Sequence, residues 1–211
     1  MVDIYVGPKR KRYHWHTKHV CHLSPHLNTI FDDKNNEATK SGLFLLGEEA
    51  ETFDLLATWF YRGTLAPIPI EFREPINKVY LNLYKLAEEW SMRPLENLTM
   101  TCIQQYFRES ELTAELGFIS EVYAVTPKAS LLRLFLARQT AFQITMGGMG
   151  YEKDWIEKMD LDGEFTVDVI NCLRVVIRNF WTIHPNPALD ADCTYHNHTS
   201  IDGLKQGNGD K

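Results

Sequence analysis

The hydrophobic period of the chain changes once between Val2 and Phe31, and that change constrains the fold more than any other feature. Val2, Ile4 and Val6 alternate with Asp3 and Tyr5, the two-residue period of a strand with one buried face. Gly7-Pro8 breaks the run, and Tyr13-His14-Trp15-His16 resumes an extended pattern. Thr17 then stands where a hydroxyl can accept from an early helical amide. Val20, Leu23, Leu27 and Phe31 follow at helical spacing. The segment therefore predicts strand, turn, strand, and one helix from Thr17 to about Phe31.

The remaining patterns extend this to an α+β fold. Asp32 to Gly42 is polar and reads as a loop, and Leu43 to Leu46 is a short apolar run that suits a buried strand. Glu48, Glu49 and Glu51 precede a predicted helix from about Glu51 to Tyr61, where acids favour the positive end of the helix dipole. Gly63 ends it, and Pro67, Pro69 and Pro75 mark a stiff linker. Ile76, Val79, Tyr80, Leu83, Leu86, Ala87 and Trp90 give the clearest amphipathic stripe. Pro94 allows a restart, with Leu95, Leu98, Cys102 and Tyr106 on the next helix. Further helices are predicted over Leu112–Val125, Ser130–Met146, Tyr151–Met159 and Val167–Phe180. The expected organisation is a small three-stranded sheet flanked by helices over residues 1–110 and an all-helical extension over 111–183. A polar tail over 184–211 is expected to lack the apolar content to pack. No internal repeat is evident.

Charge and motif content remove several function classes. The net charge of -6 argues against broad nucleic-acid binding, which needs a basic surface. The basic cluster Lys9-Arg10-Lys11-Arg12 falls in the predicted hairpin turn and reads as solvated. No apolar run approaches the roughly 20 residues of a membrane span. Cys21, Cys102, Cys172 and Cys193 are scattered without a CxxC pair, which suits a reducing compartment and an intracellular protein of the cytoplasm or nucleus. The sequons at Asn97 and Asn197 then read as coincidences. No GxSxG, phosphate-binding loop or dinucleotide fingerprint is present, so no enzyme and no cofactor are expected. Five of the eight histidines lie between His14 and His26, with His22 and His26 four apart. That spacing suits a metal, but no carboxylate or second Cys completes a set, so a histidine-rich surface is the expectation. Cys193, His196 and His198 read the same way within a polar tail.

Several segments in order carry a family likeness. VDIYV resembles the opening strand of a BTB (POZ) domain, YHWHT its second strand, and HVCHLSPHLNTIF its first helix. FDLLATWFYRGTL resembles the helix of that family that ends in Tyr, a small residue and Leu. KLAEEW with PLENLTM resembles the closing helix pair. ISEVYAVTPKASLLRLF resembles a helical extension seen in single-domain BTB proteins of filamentous fungi. The likeness spans roughly residues 2 to 183.

What the resemblance implies is an interaction module without chemistry. Its partners would be proteins: a cullin, with the chain as an adaptor in a cullin-dependent ubiquitin ligase, or a second BTB chain. A self-associating scaffold or a transcription-linked regulator without a ligase partner is the alternative. The resemblance points to Asp3, Trp15, Thr17, Glu37, Phe60 and Tyr61 as interaction residues, with Trp15, Phe60 and Tyr61 as aromatic anchors. Three departures shape the expectation. The first strand opens at Val2, so exchange of upstream elements between subunits is not expected. Thr17, with Lys18 next, stands where the family places a basic partner for the first-strand acid, so Asp3 should be exposed or held by another donor. The nearest match to the cullin-contacting loop motif is Asn35-Asn36-Glu37, without its apolar anchor.

Overall fold

A computed structural model describes residues 1–32, 42–67, 75–110, 114–146, 163–178, 187–190 and 193–197. The alternating hairpin forms as its pattern requires. Strand β1 (Val2–Val6) pairs antiparallel with β2 (Lys11–Trp15), placing Val2 opposite Trp15 and Val6 opposite Lys11. The turn is closed by the Arg10 amide donating to Gly7 O at 3.0 Å, with Gly7 and Arg10 both at positive φ. Strand β3 (Leu43–Leu45) lies parallel on the other side of β1, giving the order β2-β1-β3. One sheet face buries Val2, Ile4, Val6, Tyr13 and Trp15; the other carries Asp3, Tyr5, Arg12 and His14 toward solvent.

The single helix expected from Thr17 to Phe31 is two helices. Helix α1 spans Thr17–Leu23 and α2 spans Pro25–Asp32. The break follows from Pro25, whose ring pushes the preceding residue out of the helical region. Ser24 accordingly sits at φ -128°, ψ 108°. Its buried hydroxyl accepts from the Leu27 amide (3.2 Å) and lies 3.4 Å from Trp90 O, so one side chain starts α2 and ties it to the core. The cap of α1 is also not Thr17 but His16, which makes no side-chain cap bond.

Helix α3 (Ala50–Arg62) follows the predicted span and ends as Gly63 does best, with φ 69° and its amide on Trp59 O at 2.8 Å. Helices α4 (Pro75–Glu89) and α5 (Arg93–Ser110) form the predicted pair. Beyond them lie α6 (Leu116–Val125), α7 (Leu131–Met146) and α8 (Gly163–Arg178). The short helix expected over Tyr151–Met159 lies outside the described residues.

Among the described residues two hydrophobic clusters form, and α4 serves both. Leu83, Leu86 and Ala87 join the sheet-side cluster with Trp15, Phe53 and Trp90. Tyr80, Leu81 and Tyr84 join the cluster of the C-terminal helices with Phe107, Phe135 and Phe165. The result is a mixed α+β architecture with a small three-stranded sheet and mostly helices.

The tail expectation fails where residues are described. Pro187–Leu189 and Cys193–Tyr195 are short 3-10 turns, and Ala188 and Tyr195 are fully buried. Tyr195 packs edge-on against Phe135, with ring centroids 5.2 Å apart. Arg108 donates to Ala188 O at 2.7 Å. Composition averaged over a polar stretch hides a single aromatic that fills a core position. Residues 198–211 of the expected tail lie outside the description. Among the described residues, no helix is long and apolar enough to cross a membrane.

Candidate protein-interaction surface

The C-terminal end of α3 meets the junction of β2 and α1, and most of the expected interaction residues gather there. Along α3, Thr52, Phe53, Leu56, Trp59 and Phe60 point inward. One helical step of about 100° beyond Phe60 turns Tyr61 outward, and its side chain is 50% exposed. The Tyr61 hydroxyl accepts from the His16 amide at 3.2 Å and lies 3.2 Å from His16 Nδ1. The His19 ring stacks on Tyr61 with centroids 5.5 Å apart, and the His16 ring meets it edge-on at 6.0 Å. His19 Nε2 hydrogen-bonds to Phe60 O, satisfying one of the carbonyls that a helix end leaves without a partner. Tyr61, His16 and His19 thus form an exposed, pre-ordered aromatic surface. Such a surface offers contact area at low entropic cost.

Trp15 and Phe60 are not surface anchors. They are 3% and 2% exposed. Trp15 lies parallel to Phe53 at 6.0 Å and meets Phe60 edge-on at 4.9 Å. The strand parity of Trp15 with Tyr13, and the i, i+4 spacing of Phe60 from Leu56, already place both on inward faces. That periodicity was the signal that distinguished them from Tyr61.

Asp3 stands on the outward sheet face. Arg12 grips it through Nε (3.0 Å) and Nη2 (2.9 Å), and His14 Nδ1 lies 2.6 Å from the same carboxylate. His14 is its direct cross-strand neighbour. The Arg12 guanidinium, then His14, holds the Asp3 carboxyl below the usual carboxylate range. The donors come from β2 rather than from the start of α1. Thr17 is half-buried in the first turn of α1 and borders a shallow recess with Lys18, Cys21, His22, Asn28 and Phe31. Glu37 lies outside the described residues.

Among the described residues, helix geometry separates some of the other chemistry-bearing groups and burial shifts the titration of others. His22 and His26 do not share a helix face, because the break at Ser24 puts them on α1 and α2; His26 stacks on Trp90 at 5.7 Å. Among the described residues no group of three or more His, Cys, Asp or Glu is placed to hold a metal. In the tail set, His196 Nε2 lies 3.0 Å from the Thr101 hydroxyl, while His198 lies outside the described residues. Burial pushes the Cys102 thiol up to about 11, so it stays protonated at neutral pH. Glu88 and Glu48 are half-buried, and burial raises both carboxyls. A recess of about 490 Å³ opens between α7 and α8, lined by Leu134, Phe142 and Val175 with Asp168, Cys172 and Arg138 at its polar side. Arg138 is held there by Asp190 at 3.5 Å.

Sequence reasoning missed one exposed constellation altogether. Tyr5 and Phe44 stack on the outer sheet face at 4.8 Å, and Arg10 lies over Phe44. No family model, no curated protein and no solved structure matches the chain.

Proposed function

We propose that the chain is a non-enzymatic protein-interaction module of the BTB type, and in its specific form an adaptor that grips a cullin. The observation that supports this reading is the ordered Tyr61–His16–His19 surface at the end of α3. It sits on a scaffold whose strands and helices run in the order the resemblance implies, apart from the first helix, which is broken in two at Ser24. The geometry suits binding rather than chemistry. Tyr61 is exposed and oriented, while the one fully described buried thiol, Cys102, is held protonated.

The test is biosensor binding of the full chain to the N-terminal domain of a cullin. The reading predicts saturable binding that Tyr61→Ala weakens by about tenfold or more, at a stability cost of no more than about 1 kcal/mol from the lost His16 and His19 contacts. Binding that ignores Tyr61→Ala contradicts the assignment of the surface, and no binding sinks the adaptor form.

A second reading, self-association, is favoured by Val167, Ile170 and Val175, which are exposed along α8. Light scattering separates the two, because a strict monomer at all concentrations counts against it.

A further inference from the structure

We propose that the outer face of the sheet, around the stacked Tyr5–Phe44 pair and the Arg10 cation over it, is a docking site for an extended acidic segment of a partner protein carrying an apolar side chain. This inference rests on the reading of the chain as a binding module but not on the Tyr61 surface.

Geometry supplies the apolar half of the site. Tyr5 on β1 and Phe44 on β3 are register partners, so their rings stack nearly parallel, 13° apart. Phe44 is 46% exposed and Leu46, just beyond it, is 49% exposed. The stack is built in rather than incidental. At Gly42 (φ +93°) an added Cβ would come within 2.8 Å of the Tyr5 ring and 3.0 Å of Asp3 O. Only a glycine lets the chain enter β3 beneath that ring.

Charge supplies the selectivity. Of the four consecutive cations that run from the turn into β2, Lys11 is paired with Asp54 at 2.7 Å and Arg12 with Asp3 at 2.9 Å. Among the described residues, neither Lys9 nor Arg10 has a carboxylate within ion-pair distance. Arg10 instead sits over the Phe44 ring, 5.9 Å from its centroid, and both cations are exposed. An aromatic platform carrying a cation that has no carboxylate partner among the described residues matches an apolar side chain flanked by carboxylates. The chain as a whole is acidic, at -6, but screening confines that field to about 8 Å at physiological salt, so the local cations govern the contact. An extended ligand fits for a further reason. Among the described residues no strand pairs with the outer edge of β3, and such edges accept strands.

The experiment uses the full chain and a fluorescein-labelled peptide alternating Glu and Val, with a Lys–Val peptide as control, read by anisotropy. Saturable binding of the Glu–Val peptide is expected, weakened by about tenfold in Phe44→Ser and in Arg10→Asn and unchanged in Tyr61→Ala. Asn tolerates the positive φ of Arg10, so that variant removes charge without backbone strain even if Phe44→Ser disturbs folding. Equal binding of the Lys–Val peptide, or no loss in Arg10→Asn, overturns the proposal. So does a dimer seen by light scattering that Phe44→Ser abolishes, which would give the face to a second copy. So does a single-stranded oligonucleotide that binds more tightly through the same residues. Loss of peptide binding with intact Tyr61-dependent cullin binding overturns this site alone and leaves the module reading standing.

Discussion

Arg133 is the residue on which the C-terminal helices converge. Its buried guanidinium donates through Nε to the Thr126 hydroxyl (3.1 Å) and through Nη2 to Tyr123 O (2.6 Å) and to Thr126 O. Nη1 reaches Glu164 on α8 at 2.8 Å, and the head lies 4.5 Å from the Tyr123 ring centroid. One side chain therefore ends α6, from its place on α7, and holds α8. Replacing it with Met should strand the α6 carbonyls and cost about 2–4 kcal/mol in urea unfolding; a loss below about 0.5 kcal/mol would contradict this. Glu96 gives a pH prediction. It is buried on α5 and accepts from Asn197 Nδ2 at 2.7 Å, and burial raises its carboxyl above the ordinary 4.5. A raised carboxyl favours the neutral form in the folded state. Its stabilising contribution is thus complete below the unfolded value and lost as pH rises through the folded one. Glu96→Gln keeps an acceptor for Asn197 without the charge. It should raise the melting temperature at neutral pH and change little at pH near 4, and the reverse pattern would contradict the burial argument.

At the scale of elements, the sequence announced the hairpin, α3, α4 and α5 because each buries one face and so shows a clean period. It misled at Ser24. The apolar spacing of Val20, Leu23, Leu27 and Phe31 survives the break, since α2 keeps packing Leu27 and Phe31 inward, and only Pro25 signalled the interruption. Ser24→Ala removes both the start of α2 and the tie to Trp90 O. It should cost about 1–2 kcal/mol by chemical denaturation. Trp15 tests the boundary between core and surface. As a buried partner of Phe53 and Phe60, its replacement by Ala should cost about 3–5 kcal/mol, whereas an exposed anchor would lose binding and leave stability intact.

For the whole molecule, the C-terminal stretch changes most between sequence and structure. Asn97 accepts from the Asn197 amide at 2.7 Å and donates to its carbonyl at 3.1 Å, so the two sequon asparagines hold each other. Together with Tyr195 under Phe135, they fasten the segment around residues 195–197 onto α5 and α7. Nothing in the polar composition of that stretch shows this, because the contact depends on one aromatic and on partners about a hundred residues away. Ending the chain before Pro187, or the single change Tyr195→Ala, should lower the melting temperature of the entire fold in one transition. Loss of a separate, minor transition would instead mean that the segment is an independent appendage. The shared helix α4 argues for the single transition, since it lends side chains to both cores.

The proposed function depends on Tyr61 being a contact residue. The most direct measurement places a photo-crosslinking phenylalanine analogue at position 61, in the cell that makes the protein. A matched probe at exposed Lys128 serves as the control. A discrete adduct with a cullin is expected at position 61 and none at 128. Equal labelling from both positions, or no protein adduct at 61, would contradict it.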